Sequence, residues 1–202
     1  RGVADLYDLL TREPEFLKLV DRVHDIITSA ELPDVEVTAP VPSKVPEAIE
    51  PLPHVGSPDI LGLLEFLEAQ GGKCDLFQVA AQTHLPFETL LTTVKAAEML
   101  DFVETPKRSL TFTPIGLRFM AADMDKRKDI WRAQLLQLRL FRVVREMLQL
   151  REGELSKEEL LHELALRLPM EDPEQTFDTL VAWGRFAELF AYREDQEILT
   201  FE

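Results

Sequence analysis

Few residues in this sequence combine the types and spacing that metal binding or catalysis requires. Cys74 and His84 are too far apart to form a short-spaced ligand pair, and the other histidines are scattered, at His24, His54 and His162. Zinc sites are typically built from two such pairs. No glycine-rich phosphate loop and no Ser-His-Asp arrangement can be picked out either. We therefore expect no metal, no cofactor, no catalytic residue and no enzymatic activity in this segment.

A small acidic group, Asp123, Asp125 and Asp129, could hold a cation. These residues come at the start of a predicted helix, where a carboxylate interacts favourably with the partial positive charge of the helix N-terminus. We interpret them as helix-start residues.

The most distinctive polar cluster is Lys126-Arg127-Lys128, followed by Trp131 and Arg132. Trp and Arg contribute much of the binding energy at protein interfaces, so these five residues are our candidate partner interface. The alternative for Trp131 is burial in the core, which is the commoner fate of such a residue.

The cluster opens a stretch, residues 123–150, that contains neither Gly nor Pro and predicts one long central helix. Its apolar residues form two lines, so we expect it to be covered on more than one side. Small units at the two ends would cover part of it, and a homodimer along its flank is a separate prediction. The lines are Leu136, Leu140, Val143, Met147 and Leu150, and Ile130, Trp131, Leu135, Leu138 and Phe141.

Residues 57–123 predict three helices, a hairpin and a fourth helix. Phe87 to Leu100 is the third helix, with Leu90, Leu91, Val94, Ala97 and Met99 inward. FVET and LTFT flank a turn and predict two strands. Thr113-Pro114 predicts the cap and first position of the fourth helix. This order is that of a winged helix.

The same order returns in shortened form in residues 151–202. Ser156 and Asp172 each cap a predicted helix, and LFAY and ILTF predict the closing strands. Trp183-Gly184 predicts a close approach between the last helix and this hairpin, because glycine admits backbone contact. The fold class expected is mainly α with small β-hairpins, as tandem winged-helix-like units, 57–123 and 151–202, joined by the central helix of 124–150.

The first 56 residues differ in character. Residues 14–30 predict an amphipathic helix within a segment, 1–30, that belongs to another unit. Residues 31–56 are rich in proline and predict an extended linker. The chain opens on Arg-Gly without Met, so we expect it to be a piece of a longer protein.

The net charge of −15 repels phosphate backbones, so we expect no nucleic acid partner. Charge is uneven: residues 125–150 carry seven Lys/Arg against three Asp/Glu, and residues 151–202 carry five against fourteen. The basic stretch could face acidic surface of this chain, a partner or solvent. A single Cys excludes an internal disulfide and suits a reducing compartment. No apolar run is long enough to span a bilayer.

Four motifs follow one another along the chain: Thr113-Pro114-x-Gly116, Ala122-Asp123, Gln134-Leu135-Leu136 and Trp183-Gly184-Arg185. By these motifs, residues 55–202 resemble the C-terminal AAA-associated domain that follows the ATPase in some bacterial ABC transporters of the nitrate, sulfonate and bicarbonate import class. By this resemblance, residues 14–30 are the last helix of a preceding ATPase domain.

The resemblance implies an accessory or regulatory domain on the ATP-binding subunit of such an importer. Its partners would be the ATPase domain and the membrane permease subunit. The location implied is cytoplasmic and peripheral to the inner membrane, with membrane contact only through the complex. The chain lacks the G-x-x-x-x-G-K-[ST] loop, so ATP binding is assigned to no residue here.

Two other functions fit parts of the pattern. A winged helix could serve a DNA-binding transcription regulator, although the third helix has one cation, Lys95, against Glu88 and Glu98. A small-molecule sensor with an apolar pocket between the two units is the other alternative.

Overall fold

The computed structural model describes residues 49–201. The predicted helix of residues 14–30 and most of the predicted linker lie outside the described residues. Residues 49–56, the end of that linker, form neither helix nor strand, and all of the described chain belongs to one compact unit. None of the helices described in residues 49–201 is long and apolar enough to cross a bilayer.

The prediction of a mainly helical fold with small antiparallel sheets is confirmed. The described residues contain eight α-helices and six short strands. In order they are α1 (Ser57–Ala69), β1 (Lys73–Asp75), α2 (Leu76–Thr83), α3 (Phe87–Met99), β2 (Val103–Glu104), β3 (Ser109–Phe112), α4 (Pro114–Ala121), α5 (Met124–Leu135), α6 (Arg139–Leu150), β4 (Glu154–Ser156), α7 (Lys157–Arg167), α8 (Pro173–Phe186), β5 (Ala191–Arg193) and β6 (Ile198–Thr200). A short 3₁₀ turn, Pro106–Arg108, links β2 to β3.

The strands form two antiparallel sheets of the same topology, in the orders β1-β3-β2 and β4-β6-β5. Cys74 is opposite Leu110 in the first sheet, and Leu155 is opposite Leu199 in the second. The order helix, strand, helix, helix, strand, strand therefore occurs twice. We call residues 57–112 the first repeat and residues 139–200 the second repeat; α4 and α5 lie between them.

The ends of α3 and α8 fix which positions of the two repeats are equivalent. The backbone N–H of Phe102 donates to the carbonyl of Ala97 at 2.9 Å, and that of Leu189 donates to Gly184 at 3.0 Å. The residue before each donor, Asp101 or Glu188, has a left-handed conformation. Both helices thus end in the same hydrogen-bonded turn, in which Ala97 corresponds to Gly184.

The single helix predicted over residues 124–150 is wrong, because the chain breaks between α5 and α6 at residues 136–138. Leu138 is extended, with φ −74° and ψ 129°. The physical reason is burial, since Trp131 and Leu135 on α5 and Phe141 on α6 are all buried. The two apolar lines lie on different sides of one straight helix, so a single helix could not bury both in the same core. The break makes α6 the first helix of the second repeat. The apolar lines that motivated a dimer along this stretch are mostly covered by the chain itself.

The caps predicted from sequence are observed. Ser156 Oγ accepts a hydrogen bond from the N–H of Glu159, and the Asp172 carboxylate accepts one from Gln175. The Glu159 carboxylate pairs with Arg151. Each cap satisfies an amide that the helix itself leaves unpaired.

The Thr-Pro-x-Gly motif sets where α4 leaves the first sheet. Thr113 Oγ1 accepts a hydrogen bond from the N–H of Gly116 at 3.0 Å and donates one to the carbonyl of Asp101 at 2.5 Å. A Cβ on Gly116 would lie 1.9 Å from the carbonyl oxygen of Phe102, so only glycine fits. The motif thereby directs the chain into α4 and then α5, which carries the predicted polar cluster.

Candidate functional site

The predicted cluster lies on the first two turns of α5, which Asp123 caps. The Asp123 carboxylate accepts a hydrogen bond from the backbone N–H of Lys126 at 3.0 Å and forms an ion pair with its Nζ at 2.7 Å. The hydrogen bond from the Lys126 side chain lowers the pKa of Asp123 below its ordinary value, and the same bond raises the pKa of Lys126. Both side chains are exposed, so this pair is a helix-start feature of small energetic value.

Arg127 caps the end of the preceding helix. Its guanidinium donates to three carbonyl oxygens at the C-terminus of α4, those of Phe119, Met120 and Ala122, at 3.1, 2.7 and 3.2 Å. The charged group also lies 5.5 Å from the centre of the Phe119 ring. A cation that satisfies terminal carbonyls stabilises the helix end, so Arg127 fixes the angle between α4 and α5.

Arg132 and Lys128 connect α5 to the second repeat. Arg132 Nε donates to the carbonyl of Ala187 at 2.8 Å, at the end of α8, and its other nitrogens face Asp129 and Glu188. Lys128 pairs with the same Glu188 carboxylate. The hydrogen bond from Lys128 lowers the pKa of Glu188, and the charge of Arg132 adds to the effect. Two cations of the basic stretch therefore face a carboxylate of their own chain.

Trp131 is a core residue. It is fully buried, and its ring lies 5.4, 5.9 and 4.6 Å, centre to centre, from those of Phe102, Phe119 and Phe186. Its indole Nε1 is buried without a hydrogen-bond partner in residues 49–201. The structure thus brings all five predicted residues together, but directs Trp131 inward and commits Arg127 and Arg132 to contacts within the chain.

The second tryptophan also packs inside the chain. Trp183 Nε1 donates to the carbonyl of Val55 at 2.8 Å, which ties the segment before α1 to α8. Beside it, a Cβ on Gly184 would lie 2.2 Å from the ring of Phe190. The predicted close approach between the last helix and the final hairpin is confirmed.

The Cys and His side chains of the described residues do not converge. Cys74 is buried in β1, and its nearest polar partner is Gln78 at 3.9 Å. His54 lies 3.7 Å from Glu171, while His84 ends α2 in a left-handed conformation. Within residues 49–201 no three His, Cys, Asp or Glu side chains are grouped so as to hold a metal ion.

Sequence reasoning missed a different surface, the outer face of α2 and α3. Phe77 and Phe87 stack with their ring centres 5.3 Å apart and their planes 3° from parallel, yet both are exposed. Leu91, predicted to face inward, is exposed as well, because the adjacent Leu90 takes the core-facing position. We call Phe77, Leu85, Phe87 and Leu91 the apolar face of the first repeat. Glu88 lies three residues before Leu91 and Lys95 four residues after it, so all three share one side of the helix. This spacing of charged residues was the feature of the sequence that could have indicated an exposed Leu91.

Comparison with known proteins gives one match. The family model described as the C-terminal AAA-associated domain matches residues 77–193, from α2 through β5. No curated protein and no solved structure matches the chain significantly.

Proposed function

Because this chain belongs to the family of C-terminal AAA-associated domains, we propose that it is an accessory, regulatory domain of an ABC importer's ATP-binding subunit. The importer class proposed is that of nitrate, sulfonate or bicarbonate. The observation that carries the proposal is the extent of the family match, which spans parts of both repeats and the α4–α5 connection between them. The family therefore has most of both repeats and their connection in common with this chain, rather than one small motif.

The role proposed is binding to other proteins rather than catalysis. Four of the five side chains of the predicted partner interface, those of Arg127, Lys128, Trp131 and Arg132, hold α4, α5 and α8 together. Such internal bonding gives a rigid body whose outer surfaces are available to partners. The partners proposed are the ATPase domain and, through it, the permease subunit on the cytoplasmic side of the membrane.

We propose that each repeat is winged-helix-like, which the strand orders β1-β3-β2 and β4-β6-β5 support. In such a unit α3 is the helix that could meet a ligand. Its outward side chains include Phe87 and Leu91, with Lys95 as its one cation. DNA readers need several cationic or amide side chains there, so an apolar helix favours a protein partner.

Co-purification tests the transporter proposal. The full chain, tagged and expressed in its native cell, is expected to retain an ABC ATPase and its permease subunit after solubilisation in mild detergent. Because a chain of net charge −15 attracts basic proteins, the control bait is an unrelated acidic protein of similar size, washed at the same salt concentration. A chain that never associates with either subunit would contradict the proposal.

A further inference from the structure

The apolar face of the first repeat is not a requirement of the fold, since the second repeat lacks it. Phe77 is the second residue after the cap Asp75, and the corresponding residue after Ser156 is Glu158. Phe87 and Leu91 have the same spacing from Ala97 as Glu174 and Asp178 have from Gly184. All three acidic residues are exposed. The same fold therefore accepts carboxylates where the first repeat carries exposed apolar side chains.

The size of this face is that of a binding site. Its four members are each about half exposed: Phe77 57%, Leu85 43%, Phe87 40% and Leu91 42%. At about 200 Å² for a fully exposed side chain, they present roughly 400 Å² of apolar surface. A little over half of the area buried in a typical interface is apolar, so about 400 Å² of apolar surface corresponds to about 700 Å² of buried surface per partner. This area is close to that of a standard interface.

The charges beside Leu91 indicate what covers it. Glu88, Leu91, Thr92 and Lys95 line one side of a surface groove of about 480 Å³. They follow the three-and-four spacing of one helical stripe, with a carboxylate at one end and an ammonium at the other. If two α3 helices pack antiparallel about a two-fold axis near Leu91, Glu88 of each copy faces Lys95 of the other. The stripe is thus complementary to itself in charge, as a two-fold interface requires.

We propose that the apolar face of the first repeat, with Glu88 and Lys95, is the docking site for a second copy of this chain. The copies pack α3 against α3, with Leu91 at the centre and the stacked Phe77 and Phe87 at its side. Glu98, the remaining charged residue of α3, accepts a hydrogen bond from Thr105 of its own chain. Residues 51–54 and Glu171 of the second repeat line the other side of the same groove. The inference does not depend on the transporter proposal.

Sedimentation equilibrium of the full chain tests the proposal. The natural chain is expected to dimerise reversibly below about 100 μM, as an interface of this size allows. Leu91→Asp and Phe77→Glu, which install the residues of the second repeat, are expected to weaken dimerisation at least tenfold (about 1.4 kcal/mol). Leu150→Asp is the matched control, because Leu150 is 80% exposed but lies on α6, outside the face and its groove, and it is expected to leave the dimer unchanged.

Charge reversal tests the two-fold arrangement. Glu88→Lys or Lys95→Glu alone places like charges opposite each other twice, so each is expected to weaken the dimer several-fold. The double variant restores both pairs and is expected to recover dimerisation. A natural chain that remains monomeric throughout would overturn the proposal and leave the face to a different protein. A dimer insensitive to Leu91→Asp and Phe77→Glu, or one that the double variant fails to restore, would also overturn it.

Discussion

Arg132 in α5 donates a hydrogen bond from Nε to the carbonyl oxygen of Ala187 at the end of α8, across 2.8 Å. This bond joins the connecting helices to the second repeat at a point where a helix C-terminus would otherwise leave a carbonyl without a donor. The same guanidinium lies beside Asp129 and Glu188. The cluster that suggested a partner interface is therefore a cross-link within the chain.

Loss of this cross-link should destabilise the protein. Arg132→Ala is expected to lower the free energy of unfolding by about 1–2 kcal/mol, because a charged donor to a partly buried carbonyl is removed. Urea denaturation measures it. Arg145→Ala, an exposed arginine on α6, serves as the control and is expected to change stability by less than about 0.5 kcal/mol. Equal effects of the two variants would contradict the assigned role.

Gly184 should tolerate no side chain. Gly184→Ala places a Cβ 2.2 Å from the Phe190 ring, so we expect a loss of about 2 kcal/mol or more from overpacking. Gly62→Ala is the matched control: Gly62 is helical with open space at its Cβ, and alanine there is expected to stabilise by about 0.5–1 kcal/mol. Thermal unfolding of both variants checks the pair. A Gly184→Ala protein as stable as the natural one would contradict the packing described.

The two buried tryptophans should respond differently to the same substitution. Trp183→Phe leaves the carbonyl of Val55 without its donor, whereas Trp131→Phe removes an Nε1–H that has no partner in residues 49–201. Both variants lose the same volume from fully buried sites. We therefore expect Trp183→Phe to cost about 1–2 kcal/mol more than Trp131→Phe. Denaturant titration with the remaining tryptophan as fluorophore measures the difference, and the reverse order would refute it.

Stability should fall in acid partly through Glu188. The hydrogen bond from Lys128 lowers its pKa in the folded chain below the ordinary value of 4.5, so the unfolded chain binds a proton first as pH falls. The stabilisation from this carboxylate is present above pH 4.5 and is lost as pH falls through the folded-state pKa. Glu188→Gln is expected to flatten the decline of unfolding free energy with pH in that range. An unchanged slope in this variant would argue against the pairing with Lys128.

Local patterns were sufficient for the capped helix starts and for the strands of the two hairpins, whereas β1, β4 and the start of α6 were not predicted. Thr113, Asp123, Ser156 and Asp172 each cap a helix where the sequence predicts one. A cap acts over three residues, so its signal is complete in the local sequence. The close approach at Gly184 was likewise predictable, because glycine weakens a helix and is favoured inside one where a neighbouring group leaves no room for a Cβ.

Long-range packing decided what those patterns left open. Leu90 and Leu91 are adjacent leucines of one helix, and only the position of the neighbouring elements determines which one is buried. The break after Leu135 has no Gly or Pro to mark it. The break allows Trp131 on α5 and Phe141 on α6 both to be buried in the core.

By itself the sequence determined the helical class, the caps, the two hairpins and the family resemblance, since these depend on spacing along the chain. The tertiary structure alone decided that Trp131 and Arg132 hold the chain together, and that Phe77, Phe87 and Leu91 are left at the surface. The physical reason is that burial is a property of surfaces brought together from distant segments. The same side chain is core or contact site according to what folds over it.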